Sequence, residues 1–306
     1  MDAAQSTGWR AAADFGAPEG AAGGGRGAAG IDAGGTLVKI AYVKDGVRRL
    51  RKFRSDRLAE AAEWLRTELP DAPLLITGGK GAKLAALIGR EAEMMPEFEA
   101  TCIGIRRLLP PAVGNGAFLL ANVGTGTSVH VIDGERHLRV GGTGLGGGTI
   151  VGLARLLAGL DEYEAIVAAA ARGDRSAADL KVSHIYEGLK PPIAGELTAS
   201  NFGRVLPGTV IGSGEAGTLS REDALASVIG MVGEAVATLC VHAAAAHGVK
   251  TVVYIGSSFI GNAPLRQAVE SYTRYRGGEP HFVENGEFSG ALGALLRLGQ
   301  RLQADG

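Results

Sequence analysis

Asp32 and Lys39 stand at the two ends of the string "DAGGTLVK", with Gly34, Gly35 and Thr36 between them. A carboxylate, two glycines, a hydroxyl and an ammonium in that order suit the handling of a phosphate chain. Gly34 and Gly35 let backbone N–H groups come close to phosphate oxygens. Thr36 adds a hydroxyl, and Lys39 supplies a point charge. Asp32 can orient Mg²⁺ through water, because Mg²⁺ keeps several of its waters when it binds nucleotide. An ordinary hairpin, with Asp32 capping its turn, carries the same residues. The flanks exclude the two common phosphate loops, which run from a strand through glycines into a helix. Here "LVKIAYV" is β-branched and aromatic, "DG" marks a tight turn, and "VRRLRKF" follows, so the glycine turn joins strands. No GxxxxGK[ST] string occurs.

A second set of residues offers related chemistry. "VGTGTS" (Val123–Ser128) reads as another glycine-turned hairpin, and "GGTGLGGG" (Gly141–Gly148) precedes an expected helix, whose first amides make an anion site. The bland alternative for the latter is a flexible linker. "YIGSS" (Tyr254–Ser258) ends an apolar strand where an adenine or ribose can rest, or is a plain strand-to-helix turn. Arg139 can grip a carboxylate with two N–H groups, or lie solvated on its hairpin. Glu97 and Glu99 in "PEFEA" fall at an expected strand-to-helix junction. There a carboxylate can act as a general base or simply favour a helix start. The six His show no metal spacing, and His130 and His137 read as strand residues.

The elements that must position these groups come in two copies. "GIDAGGTLVKIAYVKDGVRRLRKF" and "LANVGTGTSVHVIDGERHLRV" share an order of apolar strand, Asp or Asn, glycine turn, strand, Asp-Gly turn and strand. Asp32 matches Asn122, Gly34 matches Gly124, and Asp45-Gly46 matches Asp133-Gly134. Helical and strand patterns alternate after each copy, with helices expected over 81–88, 99–109, 149–160 and 224–247. The expected fold is α/β, with two duplicated actin-like (ribonuclease H-like) lobes and an ATP cleft between them. The expected parts are a disordered Ala/Gly-rich extension over 1–29, an N-terminal lobe over 30–115 and a C-terminal lobe over 116–306.

Composition narrows the partners. A net charge of −1 over 306 residues, with 5% aromatics, gives no case for nucleic acid. Cys102 and Cys240 are far apart and form no CxxC pair, which fits a reducing compartment. No apolar run is expected to span a bilayer, so the chain reads as cytoplasmic.

Beyond the extension, the sequence resembles the bacterial type II pantothenate kinases. The strings that carry the resemblance are "GIDAGGTLVKI", "ANVGTGTSVH", "RVGGTGLGGGTIVGL", "DLKVSHIY", "PPIAGELTASNFG", "VYIGSSF" and "VENGEFSGALGAL". The resemblance implies ATP-dependent phosphorylation of the primary hydroxyl of pantothenate, the first step of coenzyme A biosynthesis, by a homodimer. It makes Glu97 the catalytic base, with Pro96 where the family has a β-branched residue and Glu99 where it has Asp. It assigns ATP to Asp32, Ala33, Gly34, Gly35, Thr36, Leu37, Val38, Lys39, Thr125, Gly147, Gly148, Thr149, Ile150, Val151, Tyr163 and Ser257. It assigns pantothenate to Thr125, Ser128 and Arg139. Mg²⁺ is expected on the ATP phosphates, with no direct protein ligand and a water bridge to Asp32. The helix over 224–247 is a candidate dimer interface. The alternatives are a kinase of the same fold for another small hydroxyl acceptor, an amino sugar or a pantetheine-like compound, and a non-catalytic ATP-binding regulator.

Overall fold

A computed structural model describes residues 27–134, 136–186, 188–212 and 218–304, and it folds the "DAGGT" segment as a turn between strands. Most of the expected extension lies outside the described residues. The first strand starts at Ala28, two residues before the expected lobe boundary. The chain divides into two units, Met1–Gly114 with Glu284–Gly306, and Asn115–Val283.

The first unit opens with an antiparallel meander of β1 (Ala28–Ala33), β2 (Leu37–Lys44) and β3 (Val47–Arg54). It continues through α1 (Leu58–Glu68), β4 (Leu74–Thr77), α2 (Gly81–Ile88), β5 (Glu93–Met94), α3 (Glu97–Leu108) and the short α4 (Pro111–Gly114). The sheet order is β3-β2-β1-β4-β5, with β4 parallel to β1. Alternation decides the two faces. Ala29, Ile31, Ala33, Val38 and Ile40 pack with α1 and α2. Gly30 and Asp32 point to the other face. The weak strand former "AAG" (28–30) opens β1 because small residues are needed there: a Cβ on Gly30 would lie 2.1 Å from the Ala291 carbonyl oxygen.

The second unit repeats the plan. β6 (Phe118–Val123), β7 (Thr127–Asp133) and β8 (Arg136–Thr143) form the meander, followed by α5 (Gly147–Ala158) and α6 (Tyr163–Ala170). Short elements come next: β9 (Leu180–Lys181), α7 (Val182–Ile185), β10 (Thr198–Ser200), β11 (Val210–Gly212) and β12 (Thr218–Ser220). Then α8 (Arg221–Ala246), β13 (Thr251–Ile255), α9 (Ala263–Tyr275) and β14 (Glu279–Phe282) complete it. The sheet order β14-β13-β6-β7-β8 matches that of the first unit position for position. The two Asp-Gly turns do not match as closely. Lys44 and Val47 enclose Asp45-Gly46, both at positive φ (54° and 74°), whereas in the second unit Asp133 is itself a strand residue, paired with Arg136.

Three expectations change. The last helix, α10 (Ser289–Ala304), belongs to the first unit, where it packs on β1 and α3, and not to a lobe running over 116–306. The long helix α8 is long and apolar enough to cross a membrane by composition, but 72% of its apolar window is buried. Leu225, Val228, Ile229, Val232, Val236 and Cys240 place it in the core of the second unit, so it is not an exposed dimer face. Its one deeply placed acid, Glu234, accepts hydrogen bonds from Arg175 (2.5 Å) and Thr198 (2.8 Å). Arg175 also pairs with Asp179, whose other oxygen accepts from the Phe202 N–H at 2.9 Å. This network pins "DLKVSHIY" and "LTASNFG" to α8 and holds Phe202 at a positive φ of 56°.

Candidate active site

In the first unit the β1–β2 turn is tied down from behind. Ser55 Oγ donates to the Gly34 carbonyl (2.8 Å), Lys80 Nζ to the Gly35 carbonyl (2.9 Å), and the Ser55 N–H to the Thr36 carbonyl (2.9 Å). The Gly34 N–H donates to the Leu37 carbonyl (3.1 Å), so with three successive carbonyls engaged an approaching anion meets the remaining N–H groups of the turn rather than acceptor oxygens. Asp32 is buried, and its Oδ2 accepts from Lys39 Nζ at 3.0 Å. Gly78 and Gly290 leave room for the carboxylate, since a Cβ on either would lie 2.8 Å and 3.2 Å from it. Ala33 and Val38 are core residues of the same hairpin, and Gly35 and Thr36 are exposed at its tip.

Asp32 Oδ1 is buried with no hydrogen-bond partner among the described residues. Among the described residues no group of three His, Cys, Asp or Glu could ligate a metal. The orphaned carboxylate oxygen is of the right chemistry to accept from a water of phosphate-borne Mg²⁺.

Glu97 is the first residue of α3, after Pro96 at φ −60° and ψ 136°. That φ is the one the proline ring imposes, and the Pro96 carbonyl opens the helix by accepting from the Ala100 N–H at 3.1 Å. The substitution before Glu97 is therefore absorbed without distortion. Glu97 keeps contact with solvent, yet its proton affinity is raised. Lost hydration is the larger cause, repulsion from Asp32 adds to it, and Lys39 partly offsets both. Glu99 faces away from that chemistry and pairs with Arg297 of α10 at 2.5 Å.

In the second unit the glycines before α5 do different work from that expected. The Gly147 N–H donates to the Gly124 carbonyl (2.8 Å) and the Gly148 N–H to the Thr125 carbonyl (2.9 Å). Two of the amides left free at a helix start are thus satisfied by the β6–β7 turn. Thr149 Oγ1 accepts from the Gly146 N–H and donates to the Gly144 carbonyl, closing the loop on itself. The glycines permit close approach: a Cβ on Gly147 would lie 2.6 Å from Ser258 Oγ, and one on Gly148 2.8 Å from the Thr125 side chain. Ile150 is core and Val151 half-buried behind them. Ser257 sits in a 3-10 turn after Gly256, and Ser258 Oγ donates to the Gly124 carbonyl (2.8 Å). The Tyr163 hydroxyl donates to the Ser258 carbonyl (2.5 Å) and accepts from Asn262 Nδ2 (2.8 Å), so it braces this turn.

Arg139 lies within β8 and is exposed. It is opposite His130, while Ser128 is opposite Gly142, so Ser128, His130 and Arg139 share a sheet face. The register shifts between those pairs, which re-aims Arg139 so that its guanidinium lies over Gly142. Burial first, then Arg139 and His137, push the His130 imidazole down to about 4. Thr125 is exposed at the tip of the β6–β7 turn.

Sequence reasoning passed over Ser55, Lys80 and Asn262, all of which hold the turns in place. "GGK" at the end of an apolar strand was a signal for Lys80, and "NAPL" was a helix-start signal for Asn262, whose Oδ1 accepts from the Leu265 N–H.

A family profile described as Fumble matches residues 106–297. The type II pantothenate kinase of Staphylococcus haemolyticus (strain JCSC1435) is 43% identical over 267 residues, covering 87% of this chain and 98% of that protein. The enzyme of the same name from Staphylococcus aureus (strain USA300) is 44% identical over 267 residues, covering 87% and 97%. Among solved structures, the activator of the 2-hydroxyisocaproyl-CoA dehydratase from Clostridium difficile with bound ADPNP has a TM-score of 0.57 at 17% identity, covering 92% of this chain and 98% of that one. A ROK family glucokinase from Streptomyces griseus in complex with glucose and AMPPNP has a TM-score of 0.50 at 14% identity, covering 90% and 99%. Those two structures bear on the fold, which is actin-like. With the sequence likeness to the staphylococcal enzymes running over nearly their whole length, the chain belongs to the type II pantothenate kinase family.

Proposed function

We propose that the protein transfers the γ-phosphoryl group of ATP to the primary hydroxyl of pantothenate, giving 4'-phosphopantothenate for coenzyme A biosynthesis. Glu97 takes the proton from that hydroxyl as its oxygen attacks phosphorus. The turn from Gly34 to Thr36 and Lys39 bind the phosphates, and Thr125 and Ser257 complete the nucleotide contacts. Ser128 and Thr125 hold the acceptor, and Arg139 grips its carboxylate with two N–H groups. Bound to ATP, Mg²⁺ supplies neutralisation of phosphate charge, and Asp32 Oδ1 is suited to hold one of its waters.

The observation that carries this reading is the 43–44% identity to the staphylococcal type II pantothenate kinases over 87% of the chain, joined by a Glu97 carboxyl whose proton affinity is raised by lost hydration first and by Asp32 second. A base with a raised pKa accepts a proton more readily in the transition state. We also take the protein to work as a cytoplasmic homodimer. Two buried free thiols and the absence of charge suited to nucleic acid are in keeping with that.

The test is ADP release by purified protein with Mg-ATP, with and without pantothenate, beside Glu97→Gln. Pantothenate-dependent ADP that vanishes in the variant is the expected result. ATP binding without such turnover would remove pantothenate as the acceptor, and full activity in Glu97→Gln would remove Glu97 as the base.

A further inference from the structure

The charge balance at the phosphate turn points to a residue outside the family's characteristic strings. Lys39, the lysine of "DAGGTLVK", is not a free cation. Its Nζ lies 3.0 Å from Asp32 Oδ2, and the two charges largely cancel. Lys80 is in a different position. It is the N-cap residue of α2, at the end of the turn that follows β4. Its main-chain N–H donates to the Ala33 carbonyl at 2.9 Å. Its ammonium donates to the Gly35 carbonyl at 2.9 Å and reaches the Ser55 carbonyl at 3.3 Å. One residue thus grips the hairpin where it starts to turn and again at its tip.

All these acceptors are neutral. Among the described residues no Asp or Glu lies within ion-pairing distance of Lys80. An ammonium has three N–H groups, and carbonyl oxygens account for two of them here. The side chain is half-buried, so its charge is less screened by water than that of a surface lysine.

We propose that Lys80 is a second phosphate-binding cation of this kinase, and that it carries the net positive charge of the β1–β2 turn. It clamps the turn from behind while its uncompensated charge and third N–H act on the terminal phosphates of the nucleotide. The proposal rests on the ATP-dependent kinase reading. It leaves Lys39 sharing its charge with Asp32 and assigns to Lys80 the uncompensated attraction for the polyphosphate.

Isothermal titration of the full chain with Mg-ATP, Mg-ADP and adenosine tests this, using wild type, Lys80→Met, Lys80→Gln and Lys80→Arg. Gln keeps an N–H donor for the Gly35 carbonyl but loses the charge, so it separates attraction from clamping. Met and Gln should each weaken Mg-ATP binding about tenfold or more, equivalent to about 1.4 kcal/mol, with a smaller loss for ADP and none for adenosine. Arg should recover most of the loss. In pantothenate-dependent turnover, KM for ATP should rise by a larger factor than kcat falls. Unchanged ATP affinity in Lys80→Gln, or equal losses for ATP and adenosine, would overturn the phosphate role. Should Met fail to fold, the Gln and Arg variants still separate charge from clamping. Wild-type protein that bound no Mg-ATP would overturn the kinase reading itself, and the role of Lys80 with it.

Discussion

Substituting alanine at Gly293 and at Gly299, on the same helix α10, should have opposite effects. A Cβ on Gly293 would lie 1.7 Å from the Ala100 carbonyl oxygen, 2.6 Å from the Ala100 carbonyl carbon and 2.9 Å from the Gly104 nitrogen. All three are main-chain atoms of α3, which cannot rotate aside. Contact at van der Waals distance needs about 3.5 Å, so the two helices must part by more than about 1.5 Å. Overpacking of this kind costs about 1–3 kcal/mol, and rigid main chain puts it at the upper end. The gain in helix propensity from Gly to Ala returns about 1 kcal/mol, leaving a net loss of about 2 kcal/mol. Gly299 has nothing within 4 Å of its Cβ position, so its variant keeps the gain of up to about 1 kcal/mol. At roughly 2–4 °C per kcal/mol, the two proteins should melt roughly 6–12 °C apart. The first residue of α3 is Glu97, so Gly293→Ala should also lower kcat, by up to about a hundredfold if the base moves by about 1 Å. Gly299→Ala should keep wild-type turnover. Differential scanning calorimetry and pantothenate-dependent ADP release measure the two effects. Equal melting temperatures, or a Gly293→Ala enzyme with normal kcat, would refute the claim that α10 sets the position of the base.

As the proposed base, Glu97 would have to be ionised to act, and its pKa is raised, so the acid limb of kcat/KM should fall above the ordinary carboxylate range. A profile flat down to pH 4 would contradict this. The same shift makes ionised Glu97 unfavourable to folding, so Glu97→Gln should melt higher than wild type at pH 7 and lose that advantage below the unfolded-state carboxylate pKa. Arg175→Met leaves Glu234 and Asp179 buried without a counter-charge and should destabilise by about 3 kcal/mol, read as a lower urea midpoint. His130 should titrate near 4 by NMR, and its pKa should rise in Arg139→Ala. Because its folded pKa is depressed, stability is lost as pH falls from the unfolded value, about 6.5, toward the folded one.

The duplicated meander was legible because its signals are local. Alternating apolar residues, a glycine turn and a second turn recur in order, and the two five-stranded sheets carry identical strand orders. The seat of α10 was not legible. Its apolar stripe says that it packs, but not on which sheet. That depends on Gly30 admitting the main chain at Ala291 and Leu295, some 260 residues away, and on Gly293 admitting that of Ala100 and Gly104. The anchoring of the phosphate turn by Ser55 and Lys80 was hidden for the same reason. Each is an ordinary polar residue until the fold brings it against a carbonyl of residues 34–36. The amides at the start of α5 were over-read, because a glycine run beside a helix looks alike whether its N–H groups meet an anion or the next loop.

These packing glycines also account for the tolerance of Pro96. If the residue before the base fixed its position, replacing a β-branched residue with proline would disturb the site. The α3 axis is instead set downstream. Gly104 accepts the Ser289 carbonyl oxygen at what would be 1.9 Å from a Cβ, and Gly293 accepts Ala100 in the same way. Arg297 ties Glu99 to the same helix at 2.5 Å. Gly290, one residue beyond the start of α10, leaves the space that Asp32 fills. One helix therefore sets both carboxylates, Asp32 from its first turn and Glu97 through α3. Pro96 needs only to hold an extended backbone at φ −60°, the conformation its ring already prefers. The glycines of "FSGALGAL" thus set the spacing of Asp32 and Glu97, the two carboxylates of the proposed site.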